Sequence, residues 1–136
     1  MSREDIVKEL NSPVRDCMRK PVAASPSESV SDLLYSMVTK NIGAIIVVEK
    51  EKPVGMITEK DVLERVLMKN KDVYTTTVKE VMSKPIITIE SDRPIKEAIE
   101  LMRKHNIRRL AVTAHGTLVG LVTERRLAMK FLNQII

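Results

Sequence analysis

The string VGMITEKDV at Val54–Val62 returns, nearly unchanged, as VGLVTERRL at Val119–Leu127. Gly55 and Gly120 are 65 positions apart, and the same offset pairs Val30 with Ile95, Met37 with Met102, Ile42 with Ile107, Val47 with Val112 and Thr58 with Thr123. Upstream, VRDCMRKPV at Val14–Val22 matches VKEVMSKPI at Val78–Ile86 at an offset of 64, so one residue is gained just after Pro85. A repeat of about 50 residues, present twice in a chain of 136, constrains the fold more than any other feature. The chain must be two small units built on one plan.

Each copy carries the same order of local signals. A Met-x-x-Pro leads into a short extended piece, Val22–Ala24 or Ile86–Ile89, because proline disfavours helix at the residue before it. An amphipathic helix follows. Val30, Leu33, Leu34, Met37 and Val38 recur at helical spacing, as do Ile95, Ala98, Ile99 and Met102, with Ser27 and Asp92 as candidate N-caps. Two apolar strands come next, Ile45–Val48 with Val54–Ile57 and Leu110–Thr113 with Leu118–Val122, joined by turns at Glu49–Lys52 and Ala114–Thr117. A second helix closes each copy, with apolar positions Val62, Leu63, Val66 and Leu67 in the first and Leu127, Phe131, Leu132 and Ile135 in the second.

A β-α-β-β-α unit of this size buries too little surface to be comfortable alone. The expectation is a mixed α/β (α+β) fold in which two such units pack sheet to sheet about a pseudo-twofold axis, each supplying the other's missing core. The expected division is an N-terminal helix over residues 1–12, a first motif over 13–70 and a second over 71–136. Packing of this kind creates two related clefts, where ligands tend to sit.

The core must come from aliphatic residues and methionine, since Tyr35, Tyr74 and Phe131 are the only aromatics among 43% apolar residues. A formal net charge of +5 suits an anionic partner but is spread along the chain, with no basic tail. The single cysteine, Cys17, makes no internal disulfide and fits a reducing compartment. The opening MSREDIVKEL lacks the apolar region of a signal peptide, and no apolar run is long enough for a bilayer, so a cytoplasmic protein with no membrane partner is expected.

The phrase Gly-h-h-Thr-x-x-Asp at Gly55–Asp61 allows two readings. In the first, Thr58 caps the helix and Asp61 reaches back to the amide of Thr58. In the second, the Thr58 hydroxyl and helix amides take phosphate while Asp61 accepts hydrogen bonds from both ribose hydroxyls. The second copy keeps Thr123 but has Arg126 in place of Asp61, and a guanidinium cannot accept such bonds. Gly55, late in a strand, leaves room for something to approach the backbone.

The whole pattern resembles a tandem pair of cystathionine-β-synthase (CBS) motifs, a Bateman module. It is carried by Val-x-x-Cys/Val-Met-x-x-Pro, then NIGAIIVV or NIRRLAVT, then VGMITEKDV or VGLVTERRL, and it covers both repeats. The resemblance implies a regulatory, energy-sensing module that binds adenine nucleotides and modulates a partner protein, commonly as a homodimer through its helices. AMP, ADP or ATP would be the ligand, with S-adenosylmethionine as an alternative. Carried over by position, Thr58, Asp61 and the adjoining Lys60 belong to one cleft. The facing repeat would add Ile87 and Thr88 at its first strand, Ile107, and Arg108, Arg109 and Arg125 at positions where relatives such as the AMP-activated protein kinase gamma subunit carry basic phosphate contacts. The first repeat has Gly43 and Ala44 where the second has Arg108 and Arg109. The second cleft would hold Val22, Ala23, Ala24, Ile42 and Gly43 opposite Thr123 and Arg126. Its loss of the acidic residue makes it a degenerate or repurposed site.

No metal-ligand spacing surrounds His105 or His115, which read as surface residues, and Cys17 reads as a small apolar filler opposite Val81. No phosphate loop, dinucleotide fingerprint or nucleophile-base pair is present, so no catalytic residue and no enzymatic activity are expected. Two alternatives remain: a nucleic-acid-binding protein using its basic surface, although it lacks aromatic stacking platforms, or a ligand-free interaction scaffold.

Overall fold

A computed structural model of the chain describes residues 1–135, with side chains through Asn133. The chain divides into two compact units, one continuous over Pro21–Ile86 and one split between Met1–Lys20 and Ile87–Ile136.

The continuous unit holds strand β1 (Ala23–Ala24), helix α2 (Val30–Lys40), strands β2 (Ala44–Glu49) and β3 (Lys52–Thr58), and helix α3 (Glu59–Val62), which runs on into a π turn at Leu63–Leu67. A one-turn helix, α4 (Val78–Val81), completes it. The split unit holds the N-terminal helix α1 (Arg3–Leu10), a 3-10 turn at Val14–Cys17, strand β4 (Thr88–Glu90), helix α5 (Ile95–His105), strands β5 (Arg109–Ala114) and β6 (Thr117–Thr123), and helix α6 (Glu124–Ile135). Each unit carries one three-stranded sheet, β1-β2-β3 or β4-β5-β6, with the first pair parallel and the second antiparallel. The hairpins turn at Lys50 and Glu51, and at His115 and Gly116, all with positive φ. The mixed α+β class and the twofold repetition of plan stand as expected.

The compact units cut across the sequence repeats. Val78 and Val81 are buried in the core of the continuous unit beside Ile45, Val47 and Ile57. Val14 and Cys17 are buried in the split unit beside Leu110, Val112 and Val122. Each repeat thus lends its opening segment to the sheet of the other. The exchange also satisfies helix ends, which otherwise leave amides unpaired. Val30 N–H donates to Thr76 C=O, and Ile95 N–H donates to Ser12 C=O, both at 2.9 Å.

Several local expectations shift. Ser27 and Asp92 are not the N-caps. Ser29 caps α2 by accepting from Asp32 N–H, and Pro94, held extended at φ −70°, precedes α5 with no side-chain cap. The second first-strand begins at Thr88 rather than Ile86, because the residue gained after Pro85 lengthens its lead-in. Val38, Ile99, Leu63, Leu67 and Leu132, read as core by their spacing, are exposed. A three-stranded sheet covers only a narrow strip of each helix, and Val30, Leu33, Met37, Val62 and Val66 fill it in the continuous unit. The side chain of Ile135 lies outside those described. Cys17 is buried, and both histidines are exposed.

Candidate functional site

The topology gathers the chemistry-bearing residues at one end of each sheet. Because β1 runs parallel to β2 and β3 antiparallel, the starts of β1 and β2 meet the end of β3. Val22 C=O accepts from Ile46 N–H, Ala23 pairs with Ile46 and Ala24 with Val47. Ile42 and Gly43 lead into β2, Ala44 pairs with Thr58, and Gly43 C=O accepts from Glu59 N–H at 3.1 Å. Thr58, Lys60 and Asp61 therefore share one sheet end with Val22, Ala23, Ala24, Ile42 and Gly43.

The split unit repeats the arrangement with different side chains. Thr88 opens β4 against Ala111, with Ile87 just before it. Arg109 pairs with Thr123, and Arg108 C=O accepts from Glu124 N–H at 2.9 Å. Ile87, Thr88, Ile107, Arg108, Arg109, Thr123, Arg125 and Arg126 thus share the other sheet end. Within each unit the structure groups the candidates by sheet, whereas the sequence reading had grouped them across repeats.

Asp61 forms the capping box that its spacing allowed. Thr58 N–H donates to Asp61 Oδ2 at 2.9 Å, Thr58 Oγ1 donates to the same oxygen at 3.2 Å, and Asp61 N–H donates to Thr58 Oγ1 at 3.4 Å. The capped helix is short, and the Asp61 side chain is 12% exposed, so more than a cap holds it. Ser83 Oγ donates to Asp61 Oδ1 at 3.2 Å, and Arg65 Nη2 lies 3.8 Å from the same oxygen. Arg65 also donates through Nη1 to Val81 C=O at 3.0 Å. Arg65 sits in the π turn, a geometry that recurs near functional sites. Asp61 is thereby a preoriented acceptor: Oδ2 already accepts two hydrogen bonds and Oδ1 one, so of about four acceptor positions on an ionised carboxylate one on Oδ1 stays open, and a second opens if Ser83 lets go.

Sequence reasoning missed Ser83 and Arg65. Ser83 faces Arg19 across the repeat at the same offset of 64 that aligned the Met-x-x-Pro segments, and that comparison would have singled it out. The close approach expected at Gly55 is made by the protein itself. A Cβ at Gly55 would stand 2.5 Å from Met82 Sδ, and one at Gly120 would meet the side chain of Met18. The methionine of each Met-x-x-Pro is thus seated on the glycine of the sheet it helps to complete.

At the other sheet end, Thr123 Oγ1 accepts from Arg126 N–H at 3.1 Å, so the threonine cap survives without the carboxylate. Cys17 Sγ lies 3.8 Å from Arg126 C=O, and burial pushes its thiol pKa up against the opposing pull of Lys130 and Arg126. A cavity of about 530 Å³ lies between α5 and α6, lined by Met102, Ile107, Arg108, Leu127 and Phe131 among others. Among the described residues no three His, Cys, Asp or Glu side chains are grouped to hold a metal, and no helix is long and apolar enough to cross a membrane.

The repeat plan matches known proteins. The CBS domain family matches residues 14–68 and 78–133. A CBS domain-containing protein of Bacillus subtilis is 35% identical over 119 residues, 87% of this chain and 84% of the relative. An uncharacterised protein of Methanopyrus kandleri is 36% identical over 107 residues, covering 77% of this chain; the match spans only 55% of that relative's length. Among solved structures, the CBS domain pair of protein MJ0100, in complex with 5′-methylthioadenosine and S-adenosyl-L-methionine, aligns with a TM-score of 0.80 and 28% identity over 90% of this chain and 98% of that one. With its two matched repeats and two repeated sheets, the chain belongs to the CBS domain family, as a tandem pair of the kind that serves as a regulatory or sensor module.

Proposed function

We propose that the chain is an adenine-nucleotide-binding regulatory module that modulates a partner protein, with AMP, ADP or ATP as ligand. The observation that carries the reading is the Asp61 carboxylate, largely buried and fixed by Thr58, at the end of a sheet. A vicinal diol offers two O–H donors to a carboxylate, and charge-assisted bonds of that kind are the strong ones. Thr58 and Lys60 flank the carboxylate, and the residues beside them, Gly43 and Ala44, are small. The family resemblance assigns Arg108, Arg109 and Arg125 to phosphate, with Ile87, Thr88 and Ile107 as apolar and backbone contacts. The structure of protein MJ0100 with two adenosine-containing ligands supports the ligand class and keeps S-adenosylmethionine as the alternative. The exposed Tyr35, Val38, Leu63, Leu67 and Met68 favour a homodimer formed through the helices.

Calorimetric titration with adenosine, AMP, ADP, ATP and S-adenosylmethionine tests the proposal. Binding of at least one nucleotide is expected, with most of it lost in Asp61→Ala. Arg108→Ala should weaken AMP while sparing adenosine, by about tenfold if one charge-assisted bond of roughly 1.5–3 kcal/mol is lost. The absence of binding by any adenosine compound at millimolar concentration would refute the proposal.

A further inference from the structure

The cavity of about 530 Å³ between α5 and α6 lies within the split unit and has two zones. Its floor is apolar. Met102 and Leu127 are buried there, and Ile107 and Phe131, the chain's single phenylalanine, are half-buried. Its rim is polar and exposed, with Arg103 from the last turn of α5, Arg108 just before β5 and Glu124 at the first position of α6. None of the three ion pairs among the described residues uses these side chains. The rim therefore carries two guanidiniums and one carboxylate, a positive excess. A volume in the range of small-molecule pockets, an apolar floor and a few polar groups at one end are the ordinary features of a ligand site.

The repeat supplies an internal comparison. At an offset of 65, Val38, Gly43 and Leu63 stand where this cavity has Arg103, Arg108 and Ala128. Val38 is 79% exposed and Leu63 55%, so the matching helix face of the continuous unit is apolar and uncharged at these positions, as a protein contact requires. The split unit has a cation where that face has an exposed aliphatic side chain, and a methyl group where it has a leucine. A second copy docked over the cavity would desolvate two guanidiniums for one carboxylate, which is costly. A small molecule with an anionic head would neutralise the excess and leave the rim in solvent.

We propose that the cavity binds a small amphipathic carboxylate of the medium-chain fatty acid class. The alkyl chain lies on Met102, Ile107, Leu127 and Phe131, and the carboxylate meets Arg103 and Arg108 at the rim. Guanidinium forks match carboxylate oxygens two bonds at a time. The single positive charge left after Glu124 is counted suits a monoanionic head rather than a dianionic phosphate ester. The site requires neither Asp61 nor an adenosine moiety, so it and the nucleotide reading fail separately. Arg108 is the one residue the two share, and it is left unaltered in the test.

The test is calorimetric titration of the full chain with hexanoate, octanoate, decanoate and decanol, each below its micellar or solubility limit. One decanoate per chain is expected, with affinity rising about fourfold per methylene along the series. Decanol keeps the chain and loses the charge, and should bind about tenfold more weakly. Arg103→Gln should weaken decanoate about tenfold and leave decanol unchanged. Ala128→Leu installs the residue of the other unit at an exposed position on the cavity wall. It should weaken decanoate and decanol about tenfold or more without lowering Tm, and Asp61→Ala should change neither ligand. Decanol binding as tightly as decanoate, affinity independent of chain length, or decanoate affinity unchanged in both Arg103→Gln and Ala128→Leu would overturn the proposal. So would self-association lost in Ala128→Leu with decanoate affinity retained, which would assign the face to a second copy.

Discussion

Gly55→Ala should destabilise the continuous unit through one side chain, Met82. The added Cβ would lie 2.5 Å from Met82 Sδ, 2.9 Å from its Cγ and 3.1 Å from the Ser83 carbonyl oxygen, whereas ordinary contacts start near 3.4 Å. Met82 must therefore move by close to an ångström, and the carbonyl behind it limits where it can go. Overpacking of this kind costs about 1–3 kcal/mol. Replacing glycine with alanine in a strand returns about 0.5–1 kcal/mol of backbone entropy. The net loss is about 0–2.5 kcal/mol, read as a lower urea midpoint or a fall in Tm of up to several degrees. Met82→Ala alone should also destabilise, since Met82 packs against the core of that unit. Adding Gly55→Ala to Met82→Ala should then cost almost nothing, giving a coupling energy of about 1 kcal/mol or more in a double-mutant cycle. Additive effects, within about 0.5 kcal/mol, would show that the glycine is not there to seat the methionine.

Two further perturbations probe other contacts. Glu90 accepts hydrogen bonds from Thr113 Oγ1 and His115 N–H, which hold its pKa below the ordinary glutamate value. Its contribution is present above the ordinary glutamate range and lost as pH falls through the lowered value. Thermal unfolding should therefore weaken more steeply from about pH 5 to about pH 3 in the parent protein than in Glu90→Gln, and parallel curves would refute the linkage. Ser83→Ala removes the donor on Asp61 Oδ1 and should cost roughly 0.5–1.5 kcal/mol of stability. It should also strengthen adenosine binding, because the hydroxyl sits where a ribose hydroxyl would donate; weaker binding would make Ser83 a positioning residue instead.

The repeat made the architecture legible, because offsets of 65 and 64 aligned every strand and helix of one copy with the other. What it could not convey is which copy's opening segment completes which sheet. Val14 and Val78 occupy equivalent places in sequence, and a periodic signal is the same whether each packs within its own repeat or is exchanged. Only the observed burial of Val78 beside Ile45, and of Val14 beside Leu110, distinguishes the two. The helix starts were misplaced for a local reason. Serines at positions 25, 27, 29 and 31 offer several candidate caps, and the choice of Ser29 depends on Val30 N–H finding Thr76 C=O, a contact distant in sequence. At the site, the motif identified Thr58 and Asp61, and the structure shows both in one capping box. Ser83 stands in the repeated Met-x-x-Pro segment, where its counterpart is Arg19, and its role shows only once that segment is seen to pack against Asp61; Arg65 comes from a π turn that α6 lacks.

The exchange of opening segments bears on how a ligand could be read out. The residues joining the two repeats are not a slack linker. Met56 and Ser83 bond reciprocally, Arg65 donates to Val81 C=O, and Ser83 Oγ rests on Asp61. A ligand that takes lone pairs of Asp61 therefore acts on the segment from Val78 to Ser83, which continues within a few residues into Ile87 and the strand at Thr88. On the other sheet end the same mechanical path begins at Arg19, bonded to Leu121, and leads through Pro21 into β1. The proposed ribose position thus touches the stretch of chain that leaves the continuous unit at Ile86. A ligand can shift an equilibrium only by binding two states differently. The contact that can differ is the Ser83–Asp61 bond. A ribose hydroxyl donating to Asp61 Oδ1 would compete with that bond, so the segment that carries Ser83 would respond to the sugar of a nucleotide.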